Sequence, residues 1–355
     1  MAFTQTEADQ FGLESAQRTT AFARWASENW LLLLLGALLL LLPAVAGEFL
    51  LLQVVGWSLD LGLIALSLMF LAGYGGMVSL VQMTVASVAG YTFTILGASS
   101  ITAISLFWPW WIAAPLAIVV AVAFGTFAGI LSVRTEGIYT IMITLAIAAA
   151  FFYLTLQNYA LFNGFNGFTQ IPAPKFWGID WNEPVPLYYL ILFFAALGYV
   201  VVVYLARAPF GLALQGVRDN PRRMEAIGYN VTAHRVAAYA FAALVAGIGG
   251  ILMVWLNHQI SPGTAGIQAT IYLLVVAVVG GIGHPIGAFV GAFVFVVLRT
   301  FALDTLIYIG LDGRRFQLLI GLGFLVIVLF SPDGVVGLWR RWAARVRHGG
   351  ERSVL

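Results

Sequence analysis

The sequence predicts an all-α integral membrane protein with about ten transmembrane helices and both termini cytosolic. Three observations predict it. Of 355 residues, 61% are hydrophobic and only 9% are charged, whereas a soluble domain carries about a quarter charged residues. The apolar residues fall in long runs, such as 30–46, 187–206 and 316–330, close to the roughly 20 residues that span a bilayer. These runs do not alternate apolar and polar positions, as strands of a membrane barrel would.

In chain order, residues 1–29 form a polar tail of mixed charge, with Glu7, Asp9, Glu14, Arg18 and Arg24. A secretory signal would place its apolar core nearer the start, so the tail is read as cytosolic and retained. A transmembrane domain over 30–338 follows. Its spans are expected near 30–46, 50–72, 83–100, 110–131, 138–157, 187–206, 236–257, 269–283, 286–303 and 316–331. The string Gly280, Gly281, Gly283, Pro285 and Gly287 divides the eighth from the ninth; it would equally suit an unwound point inside one broken span. A long loop over 158–186 is rich in Gly, Pro and aromatics, which suits turns and an interfacial belt or a surface for a partner. A basic cytosolic tail covers 339–355.

Orientation follows from Lys and Arg, which concentrate in cytosolic loops. Five arginines lie between Arg207 and Arg235, five in the C-terminal tail, two in the N-terminal tail, and Arg134 in a further inner loop. Lys175, Arg314 and Arg315 fall on the opposite side, and Arg299 near an outer helix end.

Absences narrow the function. There is no cysteine, so no disulfide, thiolate catalysis or thiolate-bound metal. A net charge of +2 gives no reason to expect nucleic acid. Lys175 is the single lysine, so no P-loop exists, and ATP-driven transport would need a separate ATPase. An intramembrane enzyme would need clustered acids or a nucleophile with its base, and no span offers them. An ion-coupled carrier would bury several ionisable groups; Asp60 is the one contender, and near a span end it reads as a structural hydrogen-bonding group. His284, in a Gly-Pro turn without neighbouring ligands, reads as a turn residue, and no metal or cofactor is expected.

The most informative segment is the basic loop 207–235. Asn220 suits an N-cap, Pro221 the first helical position and Gly228 the C′ position. A short, capped helix between them carries Met224 and Ile227 beside Arg222, Arg223 and Glu225. Such a surface suits docking into a groove on another protein, or lying on anionic lipid. The third span is polar, with Gln82, Thr84, Ser87, Tyr91, Thr92, Thr94, Ser99 and Ser100, and is placed inside the bundle. These groups either line a path or bond neighbouring helices; Ser79, Gln82 and Tyr91 are the candidate path residues. The glycine strings 73–76 and 280–283 each follow an inward-running span, as an internal repeat or two tight turns would produce.

Several strings together resemble the permease subunits of ABC importers for branched-chain amino acids, of the LivM type. They are GYGGMVSLVQ at 73–82, RTEGIYTIMITLA at 134–146, GFNGFTQIP at 164–172, FGLALQGVRDNPRRMEAIGYNV at 210–231, VVGGIGHPIGAFVGA at 278–292 and IGLGFLVIVLFSPDGVVGL at 320–338. The resemblance implies a permease paired with a second, related permease subunit. It also implies two cytosolic ATPases docked on 210–231 and an extracytoplasmic substrate-binding protein, in the inner membrane of a bacterium. Gly211, Arg218, Asp219, Asn220, Glu225, Ala226 and Gly228 would form the ATPase-docking element, while Pro221, Met224 and Val81 depart from the family pattern. The implied substrates are branched-chain or related amino acids; relatives with the same architecture carry urea, short amides or monosaccharides.

Overall fold

A computed structural model of the chain describes residues 30–135, 137–176, 178–308, 321–322, 325 and 334–337. Residues Met1–Leu51 and Leu52–Leu355 form two compact units. The first contains α1 (Trp30–Leu41) and a 3₁₀ turn, Leu42–Ala44, that starts at Leu42 and Pro43. At 12 residues α1 measures about 18 Å, short of a bilayer.

The second unit is built from helices whose limits follow the apolar runs. They are α2 (Phe49–Tyr74), α3 (Gln82–Leu96), α4 (Trp110–Ser132), α5 (Ile138–Gln157), α6 (Pro184–Arg207), α7 (Pro209–Asp219), α8 (Pro221–Ala226), α9 (Val231–Asn257), α10 (Ile267–Gly280) and α11 (Pro285–Tyr308). Among the described residues, α2, α4, α5, α6 and α9 are each long and apolar enough to cross a bilayer. Helices α10 and α11 meet that test together, bent by 118° at Gly281–His284. The breaker string is therefore a true break in the helix. The expected span at 316–331 lies almost wholly outside the described residues, as do both tails.

Two helices make the core. In α2, 94% of the most apolar window is buried, and in α9, 67%; for α4, α5 and α6 the share is 22–28%. Lipid is as apolar as a leucine side chain, so no hydrophobic force pulls one helix onto another there, and close backbone approach takes its place. Helix α4 shows how. Ala113, Ala117, Ala121, Gly125 and Gly129 recur every fourth residue and are buried, on a helix most of whose other positions are half-buried or exposed. A Cβ on Gly129 would stand 2.6 Å from that of Tyr239, and one on Gly247 would stand 3.2 Å from that of Ala121. On the next face of α9, a Cβ on Gly250 would overlap the backbone of Ala86 in α3.

The third expected span, 83–100, is only partly helical. Helix α3 has 15 residues and stops at Leu96, leaving Ser99 and Ser100 in the following loop, where their hydroxyls pair with Ser105 and Thr169. The start of α3 lies well back along α2. The chain leaves α2 at Tyr74, and Met77 N–H then bonds Leu71 O at 3.0 Å, while Ser67 Oγ bonds Gln82 Oε1 at 3.2 Å. Residues 76–79 thus form irregular backbone between α2 and α3, with Gly76 at φ +66°. Irregular backbone at membrane depth needs protein partners, and Thr144 Oγ1 of α5 supplies one by accepting from Leu80 N–H at 3.1 Å.

At the other end, the loop after α5 folds on itself. Strand β1 (Phe168–Thr169) pairs with β4 (Gln259–Ile260), and β2 (Lys175–Phe176) with β3 (Ile179–Asp180). The Lys175 ammonium and two bonds from Asn182 hold the Asp180 carboxyl down at about 2, and the same partner raises Lys175.

Two outcomes follow. Gly250→Val forces α3 and α9 apart, so the membrane-extracted protein should lose its monodisperse, heat-resistant form, as measured by size exclusion after a temperature series. The lowered Asp180 value means the pair is intact above the ordinary carboxylate range and lost as pH falls through about 2. The carboxyl ¹³C resonance of Asp180 should therefore titrate near pH 2, and Lys175→Ala should return it toward the usual 3.8.

Candidate functional site

The basic loop between α6 and α9 forms two helices where the sequence reading expects one. Helix α7 begins at Pro209, after Ala208 in extended conformation. At this corner a Cβ on Gly211 would overlap Leu205 O and the backbone of Ala206, so α6 and α7 meet backbone to backbone. Gln215 Nε2 donates to Ala206 O at 2.9 Å and to Gly211 O at 3.1 Å, satisfying a carbonyl at the end of α6. Gly211, Ala213, Leu214 and Val217 form the buried face.

Helix α8 has the caps expected of it. The Asn220 side chain accepts from Arg223 N–H at 3.0 Å, and Pro221 opens the helix. Gly228 lies at φ +91°. Its N–H bonds Glu225 O at 2.9 Å, and Tyr229 N–H bonds Met224 O at 3.0 Å, the pair of bonds that defines a Schellman terminus. Met224 turns inward, its sulfur packed where Gly216 has no side chain. No residue of α8 is buried. Ile227 is 64% and Tyr229 42% exposed, and Arg222, Arg223, Glu225 and Ala226 are exposed beside them.

Arg218 carries this loop into the bundle. Its Nε bonds Asp219 Oδ1 at 2.9 Å and its Nη1 donates to Gly73 O at 2.5 Å. Gly73 in turn faces the α10–α11 break, since a Cβ there would stand 2.6 Å from Ile282 O. The two glycine strings therefore touch. Gly334 packs against Gly281 at the same place, and His284 closes the turn with its N–H on Gly281 O at 3.2 Å.

The path residues expected from sequence are buried, and none lines the main cavity. Tyr91 is enclosed by Phe151, Phe162 and Phe168. Ser79 Oγ accepts from Val81 N–H at 3.5 Å. Gln82 accepts from Ser67, and its Nε2 has no partner among the described residues. Asp60 corrects an expectation. It is fully buried within α2, and neither carboxylate oxygen has a hydrogen-bond partner among the described residues.

A cavity of about 620 Å³ opens between α2, α3, α9, α10 and α11. Trp57, Leu61, Met83, Met253 and Phe295 give it apolar walls; Gln53, Asn257, Thr264 and Gln268 give it polar ones, and Arg299 is the one charged lining residue among the described residues. Sequence reading missed Gln53, Asn257 and Gln268. Each lies at a helix end or one turn in, where a polar residue looks like ordinary interface chemistry. A second cavity, of about 380 Å³, lies beside the α6–α7 corner and is lined by Tyr74, Tyr199, Arg207 and Gln215.

A bundle of apolar helices, a half-length helix entered through irregular backbone, and a polar-lined cavity between them are the features of a multi-pass membrane permease. Residues 50–329 match the family model described as branched-chain amino acid transport system / permease component, and the chain belongs to that family. It is 24% identical over 308 residues to the high-affinity branched-chain amino acid transport system permease protein LivM of Salmonella typhimurium, and equally to that of Escherichia coli. Each alignment covers 79% of this chain and 68% of the relative. A probable branched-chain amino acid transport permease protein LivM of Methanocaldococcus jannaschii is 24% identical over 234 residues, covering 62% of this chain and 67% of that one. No solved structure matches the chain.

Gly228→Val places a β-branched residue at positive φ, which costs at least about 1–2 kcal/mol and dissolves the α8 terminus. Uptake in a strain lacking this chain should be abolished, while the amount of protein in the membrane, read by immunoblot, stays the same.

Proposed function

We propose that this chain is the passive half of an ATP-driven importer for branched-chain or related amino acids. It pairs with a second, related permease subunit and is driven by two separate cytosolic ATPases. In this reading α7 and α8 lie in the cytosol with both termini, and the 158–186 loop faces an extracytoplasmic binding protein, in the inner membrane of a bacterium. Residues 1–29 and 339–355 are cytosolic tails flanking the permease domain at 30–338.

The observation that carries the reading is α8. It is capped at both ends by Asn220 and Gly228, yet apart from Met224, which packs on Gly216, its side chains face outward and none is buried. Exposed Ile227 and Tyr229 among Arg222, Arg223 and Glu225 suit an aromatic- and acid-lined groove on an ATPase better than a flat headgroup layer, because Glu225 would face like charge there. Gly211, Asp219 and Ala226 complete the docking element. Gly211 sets the α6–α7 corner, and Asp219 holds the Arg218 guanidinium. Arg218 then passes motion of the loop to Gly73, and so to the irregular stretch that leads into α3. Ser79 and Gln82 lie along that stretch and Tyr91 behind it on α3; they meet solute when α3 shifts, with Gln82 next to the cavity-lining Met83.

This separates docking from transmission. Arg218→Ala removes a charge-assisted bond worth about 1.5–3 kcal/mol but leaves the α8 caps intact. Uptake should fall about tenfold or more while the ATPase subunit still co-purifies. Gly228→Val should lose both. If no ATP-binding subunit co-purifies with the wild-type chain, or Arg218→Ala transports normally, the reading fails.

A further inference from the structure

The large cavity has an unusual charge balance. Among the described residues, Arg299 is the one charged residue in its lining, and no Asp or Glu lines it. Arg299 lies 14 residues after Pro285 in α11, about 21 Å along the helix. It is exposed, and it makes no ion pair among the described residues. The walls nearest it supply two further chemistries. Trp57, Leu61, Met253 and Phe295 offer an apolar face. Asn257 is oriented by its Nδ2, which donates to Met253 O at 2.8 Å, so its Oδ1 is left as an acceptor. The volume of about 620 Å³ lies within the range of small-molecule sites, about 300–1,000 Å³.

We infer that this cavity is a solute-binding station within the permease itself, taking a small zwitterion with an apolar body. Arg299 holds the carboxylate, Asn257 Oδ1 accepts from the ammonium, and Trp57 and Leu61 cover the hydrocarbon part. A guanidinium matches a carboxylate in two parallel hydrogen bonds, which an ammonium cannot reproduce. With one cation and no anion among the described lining residues, a ligand lacking its carboxylate loses its one charge-assisted contact there. The permease would thus impose a selection of its own, for the carboxylate, after any made before the solute arrives. This inference rests on the proposed transport function. The anion could also come from a lipid phosphate, and the test distinguishes the two.

The test is photolabelling of the assembled transporter in native membranes with a diazirine analogue of leucine, followed by peptide mapping. Label is expected on peptides containing Trp57, Leu61, Met253 or Phe295, and excess leucine should compete it away. Arg299→Gln should reduce labelling by about ten- to a hundredfold, the loss of one charge-assisted contact, and Arg299→Lys should restore part of it. Membrane content of each variant is measured alongside by immunoblot. Label elsewhere, equal labelling of Arg299→Gln, or label insensitive to leucine but displaced by added anionic lipid would overturn the inference while leaving transport untouched. If wild-type membranes take up no amino acid at all, the transport function falls, and this inference with it.

Discussion

Everything in this bundle depends on how closely backbones can approach where no water is present. In lipid, helices gain little by hiding apolar surface from one another, so contact relies on dispersion between atoms that touch and on polar groups that find partners. Helix α9 meets this demand by having Gly and Ala where α2, α3 and α4 cross it. Gly250 lies on the Ala86 backbone and Gly249 against Ile64, while Gly125 of α4 fits over Ala243. Because these contacts are backbone-deep, the core leaves little slack, and bulky side chains such as Phe127 and Phe193 are turned out toward lipid.

The same constraint explains the irregular segment after α2. Irregular backbone in a membrane is tolerated only where its groups are satisfied by protein. Leu80 N–H finds Thr144, Met77 N–H finds Leu71 O, and Gln82 finds Ser67. The break between α10 and α11 is handled with glycine instead, since Gly280, Gly287 and Gly291 let the two arms pack backbone on backbone. Gly73 lies against that break and Arg218 against Gly73. A contiguous series of stiff contacts therefore joins the exposed helix α8 to the segment that begins α3, where Met83 faces the cavity. Under the proposed function, this series is the physical link between an external motor and the path.

Much of this was legible in the residues. Apolar runs located the long helices α2, α4, α5, α6 and α9 to within a few positions, and Asn220, Pro221 and Gly228 identified the short helix by cap chemistry alone, because capping is decided by residues close in sequence. Helix α7 was not legible in the same way. Its buried face, Ala213, Leu214 and Val217, lies among polar neighbours and reads as loop until α2 and α6 are present to cover it. The length of α3 was overestimated because Ser99 and Ser100 are as compatible with a polar helix as with the hydroxyl-paired loop they occupy. Asp60 was read as a hydrogen-bonding group near a span end. Only the packing of neighbouring helices around α2 reveals a buried carboxylate without a hydrogen-bond partner among the described residues.

The sequence by itself determined the solvent, the class and the local caps: an apolar, lysine-poor chain must live in lipid as helices, and it lacks a phosphate-binding loop of its own. Those properties depend on composition and on neighbours a few residues apart. The tertiary structure alone decided which polar residues share a cavity and which are sealed in the core. Gln53, Asn257, Gln268 and Arg299 are separated by up to about 250 positions in the chain, and periodicity carries no information over that distance. What brings them together is the crossing of helices at glycine and alanine, and a crossing is a property of two surfaces, which neither segment specifies alone.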